Sequence, residues 1–85
     1  MQRLPIEDTI DLHTFRPAEV KLVVEEYLYQ AVQSGLTQVR IIHGKGIGVQ
    51  REITHAILKK YPEVLDFGDL PDRGSTTVTL RAKKR

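Results

Sequence analysis

Two periodicities divide the 85 residues. Residues 9–13 alternate, with Ile10 and Leu12 on one face and Asp11 and His13 on the other, which predicts a short strand with one buried side. From Pro17 the spacing changes. Val20, Val23, Val24, Tyr27, Leu28, Ala31 and Val32 recur at three and four, the stripe of an amphipathic helix. Pro17 suits the first helical position, where its missing N–H costs nothing, and Glu19 puts a negative charge in the first turn. Arg16 is a poor N-cap, so the helix entry is expected to be tied down in some other way. Gly35 stops the helix, and Leu36 just beyond it fits the hydrophobic contact of a Schellman ending.

The apolar run in 38–43 predicts a second strand, buried in the sheet interior. A glycine-rich turn follows, then a helix over 49–60 with a stripe of Ile53, Ala56, Ile57 and Tyr61. Lys59 and Lys60 complement its C-terminal dipole, and Pro62 ends it. Residues 64–67 predict a third strand, 68–75 a loop, and 76–80 a fourth, alternating strand. The order is β-α-β-α-β-β. A strand–helix–strand unit gives a parallel pair with a right-handed crossover, and the last two strands are expected to be antiparallel. The expected fold is an α/β two-layer sandwich: a mixed four-stranded sheet with both helices on one face. Residues 1–8 read as a lead-in, 9–81 as one domain and 82–85 as a basic tail.

Composition narrows the function. With no cysteine, disulfides, thiolate metal sites and a Cys nucleophile are excluded. No apolar run approaches the roughly 18 residues of a membrane span. The first residues lack the features of a secretory signal, so a cytoplasmic location is the default expectation. Net charge is only +2, but it is lopsided. Residues 1–30 hold three basic and six acidic side chains, a sum of −3, and residues 31–85 hold ten and five, a sum of +5. That asymmetry suits a polyanionic partner; for the last residues alone, a solvated tail is an equal reading.

The candidate chemistry gathers at strand ends. The first two strands both end in histidine, His13 and His43, and ligands of open α/β sheets sit beyond the carboxyl ends of parallel strands. Asp11 lies two residues before His13 on the same face, placed to orient it. Two imidazoles make a natural acid–base pair near neutral pH. The plainer reading of each is a strand-end residue hydrogen-bonded to a loop. After His43 come Gly44, Lys45, Gly46, Ile47 and Gly48, a strand–glycine loop–helix passage. Glycines let backbone amides approach a ligand, the helix start adds partial positive charge, and Lys45 and Arg51 add full charges. A phosphate is the expected guest. The spacing fits neither a Walker A loop nor the dinucleotide fingerprint. Phe15, in the loop after His13, is a candidate for stacking a base. Tyr27, Tyr29, Tyr61 and Phe67 are read mostly as core. His55 falls off the apolar face of its helix and reads as solvated, as do Glu25, Glu26, Glu63, Asp66 and Asp69.

Ile10-Asp11-Leu12-His13, Pro17-Ala18-Glu19 opening a helix, Ile41-Ile42-His43-Gly44-Lys45-Gly46-Ile47-Gly48 and Gly74-Ser75-Thr76-Thr77-Val78-Thr79-Leu80 together resemble the Smr (small MutS-related) domain over about residues 8–81. The resemblance implies a β-α-β-α-β-β fold and a nuclease or nucleic-acid-binding module. Some members nick DNA, some cleave messenger RNA at stalled ribosomes, and the domain also ends a MutS paralogue, which brings DNA repair or recombination into view. It implies a cleavage role for Asp11 and His13 and substrate binding by His43, Gly44, Lys45 and Gly46. Two positions depart from the family pattern. Thr14 follows His13 where glycine is common, and Asp72-Arg73-Gly74 replaces a Gly-Gly-x-Gly, so Arg73 is a candidate substitute contact to phosphate.

The leading expectation is an endonuclease that cleaves RNA or nicks DNA. On RNA, one imidazole would take the 2′-OH proton and the other protonate the leaving 5′-oxygen. Lys45, Arg51 and the amides of 44–48 would stabilise the phosphorane. Asp11 is the one carboxylate expected at the crevice, too few for a two-metal site, so no cofactor is expected on RNA and Mg²⁺ only on DNA. The alternatives are a DNA- or RNA-binding module that cuts nothing and, ranked last, a domain that docks on a partner such as the ribosome. No membrane contact is expected, and the oligomeric state stays open.

Overall fold

A computed structural model describes residues 8–44, 48–72 and 74–83. In chain order the elements are β1 (Thr9–Asp11), α1 (Pro17–Gln33), β2 (Gln38–Ile42), α2 (Val49–Lys60), β3 (Val64–Asp69) and β4 (Ser75–Leu80). They form one sheet in the order β1-β2-β4-β3. β1 and β2 are parallel, with Ile10 opposite Ile41. β4 is antiparallel to both β2 and β3, with Ile41 opposite Thr76 and Asp69 opposite Thr76. Inserting β4 leaves β1, β2 and β3 running the same way, so their carboxyl ends meet at one edge of the sheet. That edge carries the site.

Alternation sorts the two faces. Val39 and Ile41 of β2 and Val78 and Leu80 of β4 are buried, while Gln38, Arg40 and Thr79 between them are exposed. Both helices lie on the first face and pack against each other. The stripe of α1 is as expected: Val20, Val24, Tyr27, Leu28, Ala31 and Val32 are buried and Val23 is partly so. Tyr29 differs from the core reading and is largely exposed. The entry of α1 is tied down by Glu19, whose Oε1 accepts the Arg16 N–H at 2.9 Å. Its exit is a Schellman turn: the Leu36 N–H reaches the Ala31 carbonyl and the Gly35 N–H the Val32 carbonyl, with Gly35 at φ +85°.

Two elements depart from the pattern read along the chain. α2 buries Thr54 and Leu58, with Ile53 and Ile57 partly covered and Ala56 exposed. The buried stripe is turned by about one residue from the one expected, because α2 sits in the angle between α1 and the sheet. Thr54 and Leu58 meet the core directly, while Ile53, Ala56 and Ile57 line a groove between the helices, beside Lys21 and Glu25. β3 runs two residues past Phe67, through Gly68 and Asp69, and the turn begins only after it. Pairing with β4 overrides the low strand propensity of Gly and Asp. A bulge at Leu65 resets the alternation, so that Leu65 and Asp66 are both exposed and Phe67 turns inward opposite Val78.

Candidate functional site

β1 delivers Asp11 to the sheet's open face, exposed and next to the turn that leads into α1. One oxygen, Asp11 Oδ1, accepts the His13 backbone N–H at 3.0 Å and meets the His13 ring at Nδ1, 2.6 Å away. The short loop folds back on its own carboxylate, as Asp side chains do two residues on. The two contacts fix the ring: Nδ1 carries the proton toward Asp11, and Nε2 points away from it. The side chain of His13 is 62% exposed. The His13 N–H, then its ring, hold the Asp11 carboxyl below its ordinary value. Leu12, between them, is fully buried and anchors the loop.

β2 treats its histidine differently. Alternation places His43 on the helix side with Val39 and Ile41, and it is only 4% exposed. His43 Nε2 lies 2.9 Å from Thr76 Oγ1, and Nδ1 lies 3.2 Å from the Gly44 carbonyl oxygen. Its partners are not those of His13. The two histidines occupy the same end of the sheet but belong to separate clusters, His13 in an exposed one and His43 at the buried end of the other.

The cluster around His43 takes in two residues expected in solvent, His55 and Asp69, both still partly exposed. His55 sits one position after Thr54, so the turned stripe of α2 brings it to the sheet. Its Nε2 lies 3.0 Å from Asp69 Oδ1 and 3.2 Å from Thr76 Oγ1, and its ring meets Phe67 edge-on at 5.1 Å. Asp69, at the end of β3, also accepts the Thr76 hydroxyl at 3.0 Å and Arg51 Nε at 2.8 Å, with a second bond from Arg51 Nη2. Arg51 above all, then Thr76 and His55, hold the Asp69 carboxyl down at about 2. Asp69 is thus a second carboxylate at this end of the sheet, on the strand farthest from that of Asp11. An imidazole nitrogen of each of His43 and His55 and an oxygen of Asp69 lie within 4.8 Å of one another. The i, i+4 spacing of Arg51 and His55 was visible in the sequence; their pairing with Asp69 needed the extra length of β3.

The glycines act through the backbone. Gly44 has φ +88°, and a Cβ there would lie 3.7 Å from His13 Cβ. The N–H groups of both His43 and Gly44 donate to the Gly74 carbonyl, at 2.9 and 3.0 Å. The start of the glycine turn is therefore stitched to the loop before β4, and these two amides are already engaged. Gly48 is the N-cap of α2 at φ +89°. In the loop before β4, Asp72 Oδ1 accepts the Gly74 N–H at 2.9 Å, Ser75 Oγ donates to Asp72, and Arg40 bridges Asp72 at 3.0 Å and Ser75 at 3.2 Å. The Gly74 N–H chiefly holds the Asp72 carboxyl low. Phe15 is half-buried against the core, and its carbonyl accepts Gln50 of α2. Lys45, Gly46 and Arg73, all expected at the site, lie outside the described residues.

Comparison with known proteins fits this arrangement. The Smr domain family model matches residues 10–81. The chain is 39% identical over 83 residues to a Staphylococcus aureus protein named Endonuclease MutS2, covering 96% of this chain and 12% of that protein. The crystal structure of the Smr domain of Thermus thermophilus MutS2 superposes with a TM-score of 0.83 at 34% identity, covering 88% of this chain and 99% of that one. YdaL, a stand-alone small MutS-related protein of Escherichia coli, superposes at 0.80 with 27% identity, covering 87% of this chain and 64% of its own. The family match runs through the Asp-Leu-His and His-Gly-x-Gly segments, and the chain belongs to the Smr domain family.

Proposed function

We propose that this Smr domain is a nucleic-acid endonuclease, cutting RNA or nicking DNA, with His13 as its proton-transfer group and Asp11 as the residue that orients it. The observation that carries the reading is the grip of one Asp11 oxygen on both the backbone and the ring of His13. It presents Nε2 of a solvent-facing imidazole in one fixed tautomer, as general acid–base catalysis requires. The name of the S. aureus relative supports it. The chain spans about an eighth of that protein, so the activity is carried over to the domain only within this proposal.

On RNA, His13 Nε2 takes the proton of a 2′-OH. The 2′-oxygen bonds to the adjacent phosphorus, the bond to the 5′-oxygen breaks, and that oxygen takes a proton from water. His43, buried and engaged with Thr76, is not assigned the second proton transfer. The left-handed start of α2 at Gly48 offers the partial positive charge of a helix N-terminus to the scissile phosphate. Arg51 meets phosphate only by exchanging its bonds to Asp69. On DNA, where no 2′-OH exists, water is the nucleophile and Mg²⁺ is the expected helper.

The test is cleavage of end-labelled single-stranded RNA, a hairpin RNA and supercoiled DNA by wild type and His13→Ala, each with EDTA and with Mg²⁺. A cut made by wild type and lost in His13→Ala supports the proposal, and the substrate lanes name the nucleic acid. No cut, with binding that falls linearly in log–log against salt, replaces it with a binding module.

A further inference from the structure

We propose that His43, His55 and Asp69 form a site for a borderline divalent transition ion of the Zn²⁺ type, separate from the Asp11–His13 pair. The donors come from three places in the fold: the residue after β2, the middle of α2 and the end of β3. One nitrogen from each imidazole and one carboxylate oxygen fall within 4.8 Å of one another. The Thr76 hydroxyl lies 2.9 Å from His43 Nε2, 3.2 Å from His55 Nε2 and 3.0 Å from Asp69 Oδ1. Bonds of about 2.0 Å to a tetrahedral Zn²⁺ put its ligands about 3.3 Å apart. Four of the six separations, the three to Thr76 and the 3.0 Å between His55 Nε2 and Asp69 Oδ1, are therefore close to those of a coordination shell, with Thr76 at its inner corner.

The surroundings are those of a ligand set. A ligating imidazole usually gives its other N–H to a carbonyl or carboxylate. His43 Nδ1 faces the Gly44 carbonyl at 3.2 Å, which leaves Nε2 directed into the cluster. Arg51 binds Asp69 through Oδ2, leaving Oδ1 toward the histidines. Phe67 holds the His55 ring edge-on. An ion needs both rings to carry their protons on Nδ1, where His43 has the Gly44 carbonyl to accept it. His55 and Asp69 are partly exposed, which gives the ion an entrance. Two nitrogens and one oxygen favour Zn²⁺, Co²⁺ or Ni²⁺ over Mg²⁺ and Ca²⁺, which take oxygen ligands. Without an ion the same atoms are held together by hydrogen bonds through Thr76, so the site is formed in advance of its ligand.

The test titrates Co²⁺ into the protein and follows visible absorption, with Zn²⁺ as competitor. One equivalent is expected to bind with the strong bands of four-coordinate cobalt, to be displaced by Zn²⁺ and to resist a thousandfold excess of Mg²⁺. His55→Ala and Asp69→Asn, checked for folding by circular dichroism, are expected to lose the bands, and His13→Ala to keep them. In the wild-type protein, nitrogen NMR is expected to shift the ring resonances of His43 and His55 on adding Zn²⁺ and to leave those of His13 in place. No saturable binding, displacement by Mg²⁺, or a shift at His13 alone would overturn the proposal. None of these readouts depends on nuclease activity.

Discussion

Gly44 offers a test of why the His-Gly-x-Gly segment needs its first glycine. Two reasons compete: lack of room, or a backbone angle that other residues resist. The structure separates them. A Cβ at Gly44 would lie 3.7 Å from His13 Cβ, an ordinary contact, while φ is +88°. The cost of Gly44→Ala is therefore conformational. A left-handed residue costs an L side chain roughly 1–2 kcal/mol. The stiffer unfolded chain gives back roughly 0.4–1 kcal/mol. The net expectation is a loss of about 1 kcal/mol, which for a domain of this size lowers Tm by about 4–8 °C. Gly68→Ala is the control. Gly68 has no positive φ and nothing within 4 Å of its added Cβ among the described residues, so it gains the unfolded-state term alone and Tm holds or rises. Gly44→Asn, which tolerates the left-handed region, should recover part of the loss. Thermal melts of the three variants decide it. Equal shifts for the two alanine variants, or a Gly44→Asn variant worse than Gly44→Ala, would refute the conformational account and point to an unforeseen clash with the His13 loop.

Other expectations follow from single features. Thr54 is fully buried and its Oγ1 has no hydrogen-bond partner among the described residues; replacing it with the isosteric Val removes a desolvation cost of about 1–3 kcal/mol, so Thr54→Val should raise Tm by several degrees, and a fall would mean that the hydroxyl has a partner after all. Glu19→Ala strips the acceptor from the Arg16 N–H and should cost about 1 kcal/mol, within the usual range for a lost cap, read by urea denaturation. The carboxyls of Asp11, Asp69 and Asp72 are all held below their ordinary value, Asp69 at about 2. A depressed folded pKa gives stability that is present above the unfolded value of about 3.9 and lost as pH falls toward the folded one. Unfolding free energy should therefore decline between about pH 5 and pH 2, and Asp72→Asn should flatten that decline. Asp11→Asn keeps the shape of the His13 turn but loses the charged acceptor; cleavage should drop while Tm changes little, and an unchanged rate would remove Asp11 from the proposed mechanism.

Much of this protein was legible along the chain because the signals are short-range. The stripe of α1, its Schellman ending at Gly35 and Leu36 and the alternation that puts Asp11 outward and Leu12 inward each depend on residues a few positions apart, and the parallel β1–β2 pair follows from the strand–helix–strand order. The Asp11–His13 contact is of the same kind, a side chain meeting its own backbone two residues on. What only the tertiary structure decided lies between distant segments. The angle between α1 and the sheet turned α2 until Thr54, not Ala56, faced the core, and that rotation carried His55 from solvent to the sheet edge. Pairing with β4 drew β3 out to Asp69, a residue whose own propensity favours a turn, and set it opposite Thr76. Alternation along β2, counted from the buried Val39, then put His43 with them and away from His13. Periodicity tells which face a residue takes on its own element. It does not tell which other element covers that face, because that depends on strand order, a bulge at Leu65 and the packing of one helix on another.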